Sequence, residues 1–220
     1  MTPYYEQDGI VIYHGDCREV LPSLDTCDLA LTDPPYSVSK ANVGRWEMRY
    51  GRTTDLDFFD GDTDWAEMTA TVAEAVAMTR GVLSGRASVY VWCGHRQLGS
   101  LVHDFETVGW STRFLVWSKE CPVPVAPGSG WPSAAELCLY AYRKGRTWNY
   151  PHEFPWRSNV FVADAYRFGQ PGKVDHPTQK PPTVISPLIL ASCPARGVVL
   201  DPFMGSGTTL VEAKRLGRRA

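Results

Sequence analysis

Two apolar runs, each ending in an Asp-Pro step, most restrict what this chain can fold into. Asp28-Leu-Ala-Leu-Thr leads into Asp33-Pro34-Pro35-Tyr36, and Gly197-Val-Val-Leu leads into Asp201-Pro202-Phe203-Met204-Gly205-Ser206-Gly207-Thr208-Thr209. The 28–32 run is continuous rather than alternating, the pattern of a strand buried on both faces. Further strands are expected at 10–14, 87–93, 110–118, 136–143 and 197–201. Helical spacing predicts helices over 64–83, 95–107, 181–193 and 206–217, with a helical turn at 18–24. Asp64, with Glu67 three residues on, suits the first helix start. Alternating strands and helices predict an α/β fold with an open sheet covered on both faces.

Length and charge narrow the rest. A chain of 220 residues, 44% hydrophobic and 21% charged, suits one domain spanning 1–220 with a sizeable core. A net charge of −2 means that any nucleic-acid contact must use a local patch. The six cysteines (17, 27, 93, 121, 138 and 193) include no Cys-x-x-Cys pair, so neither a zinc site nor a disulfide framework is expected. No basic-apolar leader opens the chain and no apolar run could span a bilayer, which predicts a cytoplasmic protein with reduced thiols. Residues 37–63 have no clear period, and 119–175 carry little regularity beyond the expected 136–143 strand; the 37–63 stretch is long for a structureless connection, which makes it a functional candidate.

Asp33-Pro34-Pro35-Tyr36 has groups suited to a base amino group. Such an amine is a poor nucleophile because its lone pair is delocalised into the ring. Accepting both of its hydrogens returns density to nitrogen. Asp33 offers a carboxylate, Pro34 a carbonyl aimed by a rigid turn, and Tyr36 a flat face for a base out of its stack. A turn-forming strand end explains the same residues without chemistry.

The second segment opens a helix through Gly205 and Gly207, where backbone approach is close and exposed N–H groups favour an anion. It is not a dinucleotide fingerprint, since Leu210 replaces the third glycine, and it lacks the Gly-Lys-Ser/Thr of a phosphate loop. Asp175-His176-Pro177-Thr178-Gln179-Lys180-Pro181 precedes the 181–193 helix and offers a cation, a hydroxyl and an imidazole. Gly15-Asp16 follows a strand, at the sheet edge where ligands of α/β folds bind. Each of the three also reads as an ordinary turn.

In this order the segments resemble the S-adenosylmethionine-dependent DNA amino-methyltransferases, in the group with the catalytic tetrapeptide near the N-terminus and the glycine motif near the C-terminus (the beta class). The resemblance runs through Gly15-Asp16-Cys17, Asp33–Tyr36, His176–Pro181 and Phe203–Thr209. It implies a Rossmann-like methyltransferase fold with circularly permuted motifs and a mostly parallel sheet containing one antiparallel strand. It implies catalytic roles for Asp33, Pro34, Pro35 and Tyr36. Asp16 would contact the cofactor's adenine, and His176, Thr178 and Lys180 would lie near its methionine end. Asp33, Asp201, Pro202, Phe203, Met204, Gly205, Ser206, Gly207, Thr208 and Thr209 would complete the cofactor site. Family members are often homodimers, and no metal or membrane is implied. The family continues past the glycine-motif helix into a strand with a ribose-binding acid. Here the chain stops at Lys214-Arg-Leu-Gly-Arg-Arg-Ala220, which implies a C-terminal truncation with a bare sheet edge, or a ribose held otherwise.

Double-stranded DNA is the expected partner. Lys40, Arg45, Arg49 and Arg52, interleaved with Trp46 and Tyr50, suit phosphate contact and stacking. Arg143, Lys144, Arg146 and Arg157, with Trp148, Tyr150 and Trp156, form a second such stretch. The head Asp of the tetrapeptide favours the 6-amino group of adenine over the 4-amino group of cytosine. The other readings are transfer to RNA or a protein amide, and a truncated chain that binds DNA or a partner without cofactor.

Overall fold

The computed structural model describes residues 1–35, 65–121, 131–132, 134–145, 158–166, 169–176 and 178–220. At the N-terminus β1 (Tyr5–Gln7) and β2 (Ile10–Ile12) pair antiparallel. Asp8 and Gly9 make the two-residue loop, both at positive φ (52° and 80°); Asp-Gly suits such a loop because both positions need that backbone. The strand expected over 10–14 corresponds to β2 alone; its partner β1 has no counterpart among the expected strands. Helix α1 (Cys17–Val20) and a 3-10 turn over Leu21–Ser23 fill the expected helical turn.

The main sheet is built from β3 (Cys27–Thr32), β4 (Leu83–Cys93), β5 (Ser111–Ser118), β6 (Ala135–Tyr142), β7 (Val160–Val162) and β8 (Val199–Leu200), in the order β7-β5-β6-β4-β3-β8. β8, β3 and β4 run parallel, as do β5 and β7; β6 is antiparallel to both of its neighbours. The expected single antiparallel strand is therefore β6. Among the described residues four helices accompany the sheet: α2 (Trp65–Thr79), α3 (His95–Thr107), α4 (Pro182–Ser192) and α5 (Thr208–Arg215). The Asp64 cap lies outside the described residues. β7, three residues long, has no counterpart in the sequence reading.

Alternate residues of the central strands point to opposite faces and build two cores. Ala30, Val89, Val91, Leu139 and Ala141 pack with Val72 and Val76 of α2 and Leu101 and Phe105 of α3. Leu29, Leu31, Tyr90, Trp92 and Cys138 pack with Val184, Ile185, Leu188 and Ile189 of α4. This two-sided burial is why the strands read as continuous apolar runs.

The sheet edge beyond β8 differs from the expectation. The last residues lie along it: Arg219 donates to Gly197 O (2.9 Å) and accepts from Val199 N (2.9 Å), bridging in parallel. Ala220 in turn donates to Gly9 O (3.0 Å) and accepts from Val11 N (2.8 Å). The C-terminal segment thus joins β8 to the N-terminal hairpin, and the edge at 197–199 is paired rather than bare.

Candidate active site

β3 and β8 lie side by side with Leu29 opposite Val199 and Ala30 opposite Leu200. Parallel pairing puts both C-terminal ends on one edge, so Asp33 and Asp201, far apart in sequence, become neighbours. Thr32 Oγ1 donates to Asp201 Oδ1 (2.9 Å), and Phe203 N donates to the same oxygen (3.2 Å). Thr209 adds a side-chain hydrogen bond, so the carboxylate joins β3, β8 and the start of α5. Burial pushes the Asp201 carboxyl up to about 6, against these hydrogen bonds and with the help of the nearby Asp33 charge.

From Asp201 the chain turns through Gly205 (φ 50°) and Gly207 (φ 74°), the N-cap of α5. Both positions lie in the left-handed region that glycine tolerates. A Cβ on Gly205 would meet His176 Nε2 at 3.2 Å, so imidazole and turn sit face to face. Ser206 and Thr208 share a hydroxyl hydrogen bond (3.0 Å). Thr208 and Thr209 are buried at the helix start, while Pro202, Phe203 and Met204 are half-buried. Phe203 packs on the core beneath the turn.

The 169–181 segment is held across itself by Gln179, which accepts from Val174 N (2.9 Å) and donates to Gly172 O (3.0 Å). Lys173 Nζ donates to His176 O. Burial, then the charges of Lys173 and Lys180, lowers the His176 pKa and favours the neutral imidazole. Its buried Nδ1 has no hydrogen-bond partner within the described structure. Thr178 is exposed.

Lys180 is 4% exposed and occupies the centre of the site. Its Nζ lies 2.7 Å from Asp33 Oδ2 and 3.0 Å from Glu136 Oε2, and 5.1 Å from the centre of the Trp92 ring. Burial works against its charge, but the two carboxylates outweigh burial and raise its pKa. Glu136 also pairs with Lys119 at 2.5 Å. Neither Glu136 nor Lys119 was a candidate from sequence, because each looks like an ordinary strand-end charge. The β5-β6 register, which sets Trp117 opposite Glu136, brings Lys119 beside Glu136, and the segment leading into α4 brings Lys180 to the same carboxylate.

The structure thus brings Asp33, His176, Lys180 and 201–209 to one edge, with Pro34 buried and Pro35 half-buried at the end of β3. Asp16 is not linked to that group by any contact among the described residues. It caps α1 through Arg18 N (2.9 Å) and pairs with the Arg18 guanidinium, which also reaches Glu74 at 3.0 Å. Tyr36 and the basic residues Lys40, Arg45, Arg49 and Arg52 lie outside the described residues, as do Arg146, Trp148, Tyr150, Trp156 and Arg157. Arg143 is described, and stacks on Trp110 at 4.9 Å. The buried thiols Cys27, Cys93 and Cys193 are poor nucleophile candidates: burial pushes Cys27 up to about 11 and both Cys93 and Cys193 up to about 12. Among the described residues no metal-binding cluster occurs, and no helix is long and apolar enough to cross a membrane.

The family match defines the class, an S-adenosylmethionine-dependent methyltransferase of amino groups, and the fold agrees with it. The chain belongs to the DNA methylase family of N6 and N4 amino-methyltransferases, whose pattern it matches over residues 27–220. It is 26% identical over 231 residues to the Type II methyltransferase M2.LlaDCHI of Lactococcus lactis subsp. cremoris, covering 99% of this chain and 85% of that one. It is 27% identical to the Type II methyltransferase M2.DpnII of Streptococcus pneumoniae, with the same coverage. In fold it resembles the M1.HpyAVI–SAM complex (TM-score 0.67, 24% identity, 96% of this chain and 90% of that one). It also resembles the cytosine-N4-specific PvuII DNA methyltransferase (TM-score 0.73, 17% identity, 99% and 82%). The residues present fit the cofactor. A glycine turn, a helix start and a buried imidazole nitrogen in want of a partner converge beside an acid-lined strand end.

Proposed function

We propose that this DNA methyltransferase modifies the 6-amino group of adenine in duplex DNA, on a base turned out of the helix. The observation that carries the reading is Asp33, held at the end of β3 by the buried Lys180 and next to the glycine turn of β8. S-adenosylmethionine, when bound, supplies an electrophilic methyl group on a sulfonium. His176, Gly205, Gly207 and the start of α5 would hold it, with Thr178, Lys180 and 201–209 around them and Asp16 at its adenine.

Asp33 accepts one amino hydrogen and the Pro34 carbonyl the other, which localises the lone pair on nitrogen. Lys180 fixes the Asp33 carboxylate, so that little reorganisation is left for the reaction. Tyr36 stacks on the extruded base. After methylation the amine gives up one proton, for which the Asp33 carboxylate is the nearby acceptor. Lys40, Arg45, Arg49 and Arg52 supply phosphate contacts. The Type II relatives make the modification half of a restriction-modification pair the fitting context in the cell.

Cytosine N4 is the second reading, since the cytosine-N4-specific PvuII DNA methyltransferase shares this fold. The test is incubation with S-adenosylmethionine and unmethylated duplex DNA, followed by digestion and mass spectrometry of the nucleosides. N6-methyladenine is expected. N4-methylcytosine would replace the base and keep the mechanism, and absence of both, with no cofactor binding by calorimetry, would overturn the enzymatic reading.

A further inference from the structure

Around Lys180 the charges alternate: Asp33, Lys180, Glu136 and Lys119, linked at 2.7, 3.0 and 2.5 Å. Their side chains are 26, 5, 19 and 13% exposed, so the row lies mostly out of water. Two indoles wall it. Lys180 lies 5.1 Å from the Trp92 ring and 6.0 Å from Trp117, and Lys119 lies 4.8 Å from Trp117. The row crosses the tips of β3, β6 and β5 and the approach to α4.

A lysine bound to one carboxylate can swing about it. Tied to two carboxylates and pressed on indole faces, it has one position, and so does the Asp33 oxygen it holds. Glu136 also shares the lysine's charge. Were it neutral, the whole ammonium charge would fall on Asp33 and weaken that carboxylate as a hydrogen-bond acceptor. Lys119 balances Glu136, keeping the buried row neutral overall.

We infer that Glu136, seconded by Lys119, is a positioning residue for methyl transfer: through Lys180 it sets the aim and acceptor strength of Asp33 toward the target amine. This rests on the amino-methylation reading above, and on the sheet register that no local sequence pattern announces.

The test compares Glu136→Gln with wild type, because Gln keeps the volume and an acceptor oxygen. Single-turnover methylation should slow by about 10- to 100-fold, the range expected when a reacting group is misplaced. Affinities for S-adenosylmethionine and DNA, read by calorimetry and fluorescence anisotropy, should stay near wild type. A folded Glu136→Gln protein with the wild-type rate, or one that loses cofactor affinity in proportion to rate, would overturn the inference. Should Glu136→Gln not fold, Lys119→Met carries the same test with a smaller expected slowing, and an unchanged rate there is equally fatal. One readout is independent of turnover: the Asp33 carboxyl carbon resonance, assigned by its loss in Asp33→Asn, should move in Glu136→Gln. If wild type makes no methylated base, the functional reading falls, and this resonance alone decides the coupling: a shift supports it and constancy ends it.

Discussion

Lys180 stays charged where burial alone would discharge it, because Asp33 and Glu136 lie within 3.0 Å. Asp33→Ala removes the proposed acceptor of the amino hydrogen and leaves Lys180 with Glu136. Methyl transfer should be abolished while the fold, read by circular dichroism and thermal melting, stays largely intact; substantial activity would remove Asp33 from its assigned role. Asp201 makes a different prediction. Its folded pKa of about 6 lies above the ordinary 3.8. Below the lower value the group is neutral folded or unfolded, and its contribution is intact. As pH rises through the folded value the buried carboxylate ionises and stability is lost, by about 3 kcal/mol for a shift of about two units. Asp201→Asn cannot ionise and keeps a carbonyl acceptor. Its melting temperature relative to wild type should therefore rise between pH 4 and pH 7, and a pH-independent difference would refute the assigned ionisation.

At the scale of elements, α5 and β8 show how little space the site leaves. Gly205 has φ 50°, and an added Cβ would stand 3.2 Å from His176 Nε2. Gly205→Ala should cost about 1–2 kcal/mol for the left-handed backbone and weaken S-adenosylmethionine binding by displacing the imidazole. Calorimetry and thermal melts read both effects. Gly197, buried ahead of β8, faces another constraint. A Cβ there would meet Cys193 Sγ at 2.8 Å, Pro194 Cγ at 2.9 Å and Asp28 Oδ2 at 3.0 Å. That same Asp28 oxygen accepts from Val198 N (3.0 Å) and ties β8 to β3. Gly197→Ala should destabilise by about 1–3 kcal/mol, the usual range for overpacking, as measured by denaturant unfolding.

Over the whole molecule, a net charge of −2 leaves DNA affinity to local patches. If Lys40, Arg45, Arg49 and Arg52 each neutralise one phosphate, replacing all four with Gln should flatten the slope of log affinity against log salt by roughly 3–4. An unchanged slope would move the phosphate contacts elsewhere.

The sequence alone determined the longer strands, the covered sheet and the order of the chemical segments. Strands buried on both faces must be continuously apolar, and a tight turn at their ends needs Pro or Gly; both marks are local. The Asp8-Gly9 turn is a local mark too, yet of its hairpin only the second strand was expected, and β7 is too short to leave a periodic mark. What only the tertiary structure decided is who meets whom. Parallel pairing of β3 with β8 joins Asp201 to Thr32, the β5-β6 register sets Lys119 beside Glu136 where Lys180 reaches it, and the C-terminal residues cover β8. A buried charge is held by partners distant in sequence, and an isolated Glu in a strand carries no sign of the lysine that needs it.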